Sequence, residues 1–448
     1  MEAELEARID QWRGYLSTRA VLRSDDVQEL EAHLRDQIDG LEARGLDADE
    51  AFLIAVSRIG KIDELSREYA REHSDRLWKQ LIGPVPEGAT RERTGFAPAL
   101  LAAVGAAVAV KLPGLLGADF MSDGQFYVRN VALLVLPFLA LYFLIRRRAS
   151  TGTAVAVGAP FVAAAVVMNV YPFARDGATL LLAVIHLIVA LWLVTGLAYV
   201  NGDWRSHTRR MDFIRFTGEW FVYLVLLGLG GGVLAALTLG VFSAVGIDSA
   251  VFVDEWLMPC GAAGAVVIAA WLVEIKQSVI ENIVPVLARV FTPFFAALLL
   301  ALIVAAGIHG SFVESGRELL IVFDVVLLVV VALLLYSISA RDPQQRVTWF
   351  DRLQLLMIVA ALIVDVLVLV AIIGRIGEYG ASANKLATLG VNVVLAANLV
   401  GACWWHLRFV TQRGSFSRVE RWQTAYVPVY LGWAVVVVLV FPPAFAFG

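Results

Sequence analysis

Cysteine and histidine are scarce in this 448-residue chain, at two and six, and neither type clusters. Cys260 and Cys403 both sit inside apolar runs, where a thiol behaves as a small packing group. Without a CxxC pair there is no disulfide framework and no ligand set spaced for a metal. The chain has no Gly-x-x-x-x-Gly-Lys-Ser/Thr loop, which excludes nucleotide hydrolysis by a P-loop. His-Glu-x-x-His and Gly-x-Ser-x-Gly are also missing. No catalytic activity, cofactor or metal is therefore expected. Residues 1–20 are charged and lack an apolar stretch, so no cleavable signal peptide is expected and the first span is expected to target the chain.

Charge is thin as well, at 17% of residues against about 25% in soluble domains. What fills the chain instead is apolar surface, 59% of residues, where soluble domains hold about 45–50%. An excess of that size over this length faces lipid rather than one oversized core. A helix crossing the hydrocarbon core needs about 20 mostly apolar residues. Eleven stretches qualify: 96–117, 126–145, 151–171, 178–200, 217–246, 257–275, 291–308, 319–339, 353–374, 386–408 and 426–448. The expected fold class is all-α: a polytopic transmembrane bundle behind a small N-terminal cytosolic four-helix domain (1–82) and a linker (83–95).

The prefix is acidic, with 19 Asp and Glu against 12 Lys and Arg in residues 1–82. Val27, Leu30, Leu34, Ile38 and Leu41 recur at helical spacing, and Asp47 with Glu50 forms a capping box before Ala51, Ala55, Val56 and Ile59. A fourth stretch carries Leu65, Tyr69, Leu77 and Leu81 before Gly83-Pro84 breaks the pattern. Such a balance repels phosphate, so direct nucleic-acid binding is not expected. The run Glu29-Leu30-Glu31-Ala32-His33-Leu34, then Gly45-Leu46 with Asp49-Glu50-Ala51, then Arg58-Ile59-Gly60, resembles the permease prefix domain. That family is also called the HAAS, or helix-turn-helix-associated α-helical signalling, domain. The family's Asp-Pro after the glycine is replaced here by Lys61-Ile62. The resemblance implies a bacterial signalling or docking module, with a PadR-type helix-turn-helix regulator as cytosolic partner and Glu29, Leu30, His33, Leu34 and Gly60 as its docking residues. A plain solvated appendage is the alternative.

Basic residues set the expected orientation. With the prefix in the cytosol, the inside links carry sixteen, including Arg146, Arg147, Arg148, Arg209 and Arg413, and the outside links five. The N-terminus is then cytoplasmic and the C-terminus extracytoplasmic in a bacterial cell membrane. The inside link 276–290 reads as a short amphipathic helix limited by Pro285 and Pro293. In the fifth stretch, Gly228 and Gly232 with Gly230 and Gly231 can kink the helix or allow close helix contact, and oligomerisation stays open.

Ionisable groups inside spans are costly and mark a pathway or a structural pair. Lys111, Asp324 and Asp365 are the sharpest candidates: one lysine for two aspartates leaves one acid to carry a proton or a cation, unless a Lys–Asp pair merely fixes helix register. His186, Asn392 and Asn398 join them as candidate cavity-lining groups. Before the tenth span, Arg375-Ile376-Gly377-Glu378-Tyr379-Gly380 is similar to a stretch in an uncharacterised polytopic bacterial family, a domain of unknown function. Arg375, Glu378, Tyr379 and Gly380 are thus a candidate outside-loop motif. Two functions stand open, with the lipid bilayer a partner in each: a sensor or regulatory component docking through its prefix, or a permease subunit using the intramembrane Lys and Asp residues. An intramembrane enzyme is a distant third.

Overall fold

The computed structural model is all-helical over the residues it describes: 5–6, 8–10, 12, 24–42, 46–59, 89–117, 124–174, 177–275, 280–309 and 317–448. The chain divides into two compact units, Met1–Arg91 and Glu92–Gly448.

In the first unit, α1 (Ser24–Glu42) packs on α2 (Ala48–Ile59). Leu34, Ile38 and Leu41 meet Ala51, Phe52, Ala55 and Val56, with Ile9 and Trp12 completing the core. Asp47 Oδ1 accepts from the Glu50 amide at 2.8 Å, a cap worth about 1 kcal/mol. On the surface, Arg35 Nη2 donates to Glu6 and to Glu31, each at 2.9 Å, and these carboxylates hold its guanidinium above the ordinary arginine value. Leu34 is wholly buried, so it holds this core and presents nothing to a partner. Gly60, the side chains of Glu29, Leu30 and His33, the fourth helix expected before residue 83 and linker residues 83–88 lie outside the described residues.

The second unit contains eleven helices long and apolar enough to cross a membrane. They are α3 (Ala89–Leu115), α4 (Gly124–Arg146), α5 (Thr151–Val170), α6 (Ala178–Tyr199), α7 (His207–Ala244), α8 (Met258–Ile275), α9 (Ile280–His309), α10 (Arg317–Ser339), α11 (Trp349–Tyr379), α12 (Ala383–Val410) and α13 (Phe416–Leu439). The chain is an integral multi-pass membrane protein. Only helices and closed barrels satisfy every backbone group where water is absent, and these runs have the apolar length for helices.

Several helices outrun the expected spans, because hydropathy marks the part in hydrocarbon and not the turns beyond it. Residues 89–95, expected as linker, are helical and continuous with the first span. The expected interfacial helix at 276–290 is not separate from the seventh span: α9 runs through Pro285 and Pro293 from Ile280. Proline is tolerated in this setting where neighbouring groups satisfy the freed carbonyls. The run Arg375–Tyr379 forms the last turns of α11 rather than a loop. The eleventh span does not reach residue 448. It begins at Phe416 and ends at Leu439, before Pro442-Pro443. Phe447 O and Gly448 O then accept from the Ala174 and Thr179 amides at 3.0 and 3.1 Å, pinning this tail to the turn before α6.

Two apolar cores result. One joins α3–α6 and α8 with Val438 of α13; the other joins α9–α13, with Phe213 and Phe216 of α7 in the first and Met211 in the second. Helices cross closely where a glycine lies under an aromatic ring: Gly105 under Phe138, Gly196 under Phe213, Gly218 under Tyr336, Gly390 under Trp433 and Gly401 under Trp422. The glycine run further along the fifth span does nothing of the kind. Gly228, Gly230, Gly231 and Gly232 have open space where a side chain would stand, and α7 continues through them without a break. Leu229, Val233 and Leu237 around them are exposed, as a lipid-facing surface is.

Polar ties cross the same interfaces. Asn130 and Asn169 exchange side-chain amide hydrogen bonds of 3.1 and 2.9 Å between α4 and α5. Glu274 of α8 accepts from Tyr142 Oη of α4 at 2.6 Å and from Arg147, just beyond the end of α4, at 3.1 Å. Arg215 of α7 donates to the Ser339 carbonyl at the end of α10. The Arg341 guanidinium, stacked over Phe409 and Phe416, grips Asp351 through Nε (2.8 Å) and Nη2 (3.2 Å). Asp351 also closes a capping box with Thr348.

Gly401→Ala pushes a methyl into the Trp422 ring and is expected to cost about 1–3 kcal/mol, the usual penalty of overpacking. Gly232→Ala meets nothing and should leave stability unchanged or slightly higher. Thermal unfolding of the two purified variants in detergent checks the contrast; equal midpoints would contradict the packing described.

Candidate functional site

The polar residue most at odds with its surroundings is Asp365, near the middle of α11. It is 0% exposed, and neither carboxylate oxygen has a hydrogen-bond partner among the described residues. Hydrophobic spacing explains the position: Ala361, Val364, Val368 and Ile372 turn the same side of α11 into the second core. Asp324, half-buried on α10, lies close enough for its charge to act on Asp365. Asn392 of α12 donates from Nδ2 to Asp324 Oδ1 at 2.8 Å and to the Thr388 carbonyl of its own helix at 2.9 Å. Its Oδ1 has no partner among the described residues, in a wholly buried residue. Three consecutive helices thus bring two carboxylates and one amide into one region, rich in acceptors and poor in donors. An ionised carboxylate costs several kcal/mol in such a place unless a positive charge meets it. The chemistry this arrangement offers is uptake of a proton or of one small cation.

Lys111 does not supply that charge. Its Nζ stands 4.0 Å from Glu255 and 4.4 Å above the Trp256 ring, on the π-helical turn Val253–Leu257 that leads into α8. Lysine and aspartates therefore keep different company, and among the described residues no Lys–Asp pair fixes the register. His186 is tied by Nδ1 to the Leu182 carbonyl of its own helix, 2.8 Å away. Asn398 donates to Gln423 at 3.0 Å across α12 and α13, and Trp422 Nε1 bonds the Asn398 carbonyl at the same distance. Neither joins the aspartates. His406 is wholly buried with both ring nitrogens unpartnered among the described residues.

The stretch read as an outside loop has a local role. Gly380 caps α11 at φ +74°, a left-handed conformation that favours glycine. Lys385 Nζ then donates to the Gly380 carbonyl at 2.7 Å and to the Arg375 carbonyl at 3.3 Å, placing a cation at the negative end of the helix. Tyr379 lies 5.5 Å from that ammonium and is 74% exposed. Glu255, Gln423 and Asn169 were not singled out from sequence. Each gains meaning only through a partner on another helix, a pairing no single-helix pattern records.

Asp365→Asn keeps the shape and removes the charge, so expression and unfolding temperature in detergent are expected to hold or rise. Asp351→Ala orphans the buried Arg341 and is expected to lose about 3–5 kcal/mol. A severe loss of folded Asp365→Asn protein would reveal a cation paired with that carboxylate. No family model, curated protein or solved structure matches the chain.

Proposed function

We propose that this membrane protein is a sensor or regulatory component whose helical prefix docks on a cytosolic partner, a helix-turn-helix regulator of PadR type. The observation that carries the reading is the prefix itself. Residues 1–91 make a unit with a core of their own, built by Ile9, Trp12, Leu34, Ile38, Phe52 and their neighbours. Their likeness to the permease prefix family supports a docking role. The separation of Lys111 from both aspartates also favours it over transport, since among the described residues neither aspartate meets a basic side chain. The orientation that fits is N-terminus in the cytoplasm and C-terminus outside, in a bacterial cell membrane. A second reading, a permease or transporter subunit, is favoured by one observation only: the buried Asp365 beside Asp324 and Asn392.

An affinity pull-down from native membranes compares the full chain with a form lacking residues 1–82. A helix-turn-helix regulator should co-purify with the full chain alone, while both forms insert into the membrane. Absence of any cytosolic partner from the full-length sample counts against docking, and transport assays on Asp365 variants follow. Orientation is checked separately by cysteine labelling in intact cells. On a background without Cys260 and Cys403, Ala381→Cys should react with an impermeant maleimide and Arg413→Cys should not; the reverse pattern would invert the assignment.

A further inference from the structure

At the end of the bundle where α10 finishes and α11 starts, a cavity of about 250 Å³ opens between α9, α10 and α11. Two groups on its wall are buried and unpartnered among the described residues: Gln354 Nε2, in a residue 1% exposed, and Ser337 Oγ, in a residue 8% exposed. Both can donate a hydrogen bond. Asp351, also on the wall, has no free demand. Its Oδ1 accepts from Arg341 and its Oδ2 accepts from Thr348 and Arg341, so the acid is neutralised in place. Arg289, exposed on α9, adds a positive charge at the wall. The cavity therefore calls for an acceptor-rich, negatively charged group.

Its position narrows the source of that group. Trp349, 70% exposed, stands on the cavity wall as aromatic side chains do at a membrane boundary. Val290, Phe291 and Phe294 follow Arg289 on the same helix, all exposed, and offer a surface for hydrocarbon chains. A free phosphate would use the donors and leave these residues idle. We propose that this cavity holds the phosphate-bearing headgroup of an anionic phospholipid, with its acyl chains along Phe291 and Phe294. Basic pockets between transmembrane helices bind anionic headgroups by the same chemistry. The assignment goes beyond the docking reading and stands or falls without it.

The test uses the full-length protein in a neutral detergent, followed by tryptophan fluorescence on heating. Phosphatidylglycerol is expected to raise the unfolding midpoint saturably, because a ligand that binds only the folded state stabilises it. Phosphatidylcholine and glycerol 3-phosphate should not. Gln354→Leu and Arg289→Ala should each weaken the response about tenfold or more, as loss of a hydrogen bond or charge to phosphate requires. Arg289 is exposed, so its alanine variant keeps the test decisive if Gln354→Leu fails to fold. Equal shifts with both lipids, no shift with either, or a phosphatidylglycerol shift untouched in the variants would each overturn the proposal. A full shift with glycerol 3-phosphate would assign the site to a soluble phosphate ester and overturn the lipid.

Discussion

A polar group in hydrocarbon has no water to turn to, and the rest of this structure follows from that constraint. Beyond the first turn each helical amide closes on its own helix, which is why apolar runs of twenty residues become helices and not strands. Side chains obey the same demand over longer distances. Asn130 finds Asn169, Glu274 gathers Tyr142 and Arg147, and Arg341 holds Asp351 with both of its oxygens engaged. Against these satisfied pairs, Asp365 stands out because both of its oxygens lack a partner among the described residues.

Within lipid, helices gain nothing by hiding apolar area from water, so close contact has to come from shape. The rings of Phe213, Tyr336, Trp422 and Trp433 provide it, each covering a glycine on a neighbouring helix. One of these contacts, Gly218 under Tyr336, ties α7 to α10, and Gly196 under Phe213 ties it to α6. The first half of α7 is therefore one link between the two cores, beside α13, while its glycine-rich second half is largely exposed, as a lipid-facing surface is.

The number of spans was legible because hydropathy reports a one-dimensional property, the apolar length needed to cross the bilayer. The ends were less so. Helix α11 continues to Tyr379 and α13 begins at Phe416, since turns outside the hydrocarbon can be polar and still helical. The prefix core followed from its periodicity, with Leu34, Ile38 and Leu41 inside. For the site, Asp324, Asp365 and Asn392 stood out as polar residues in apolar runs, and the structure groups them. Lys111 was equally conspicuous and sits elsewhere, beside Glu255, because neighbourhood among eleven helices is decided by packing that no single helix encodes.

The reciprocal amide pair of Asn130 and Asn169 bears on how the protein is made. Helices α4 and α5 follow one another along the chain and share a single short turn. Because both partners lie on one hairpin, the pair needs no later helix to meet its polar cost. Tyr142, on the same hairpin, must wait for Glu274, 132 residues later. Asp324 of α10 likewise gains its partner only from Asn392 of α12, 68 residues later. The polar ties of this bundle are thus of two kinds: those closed within one hairpin, as between Asn130 and Asn169, and those that join helices far apart in sequence, as between Tyr142 and Glu274.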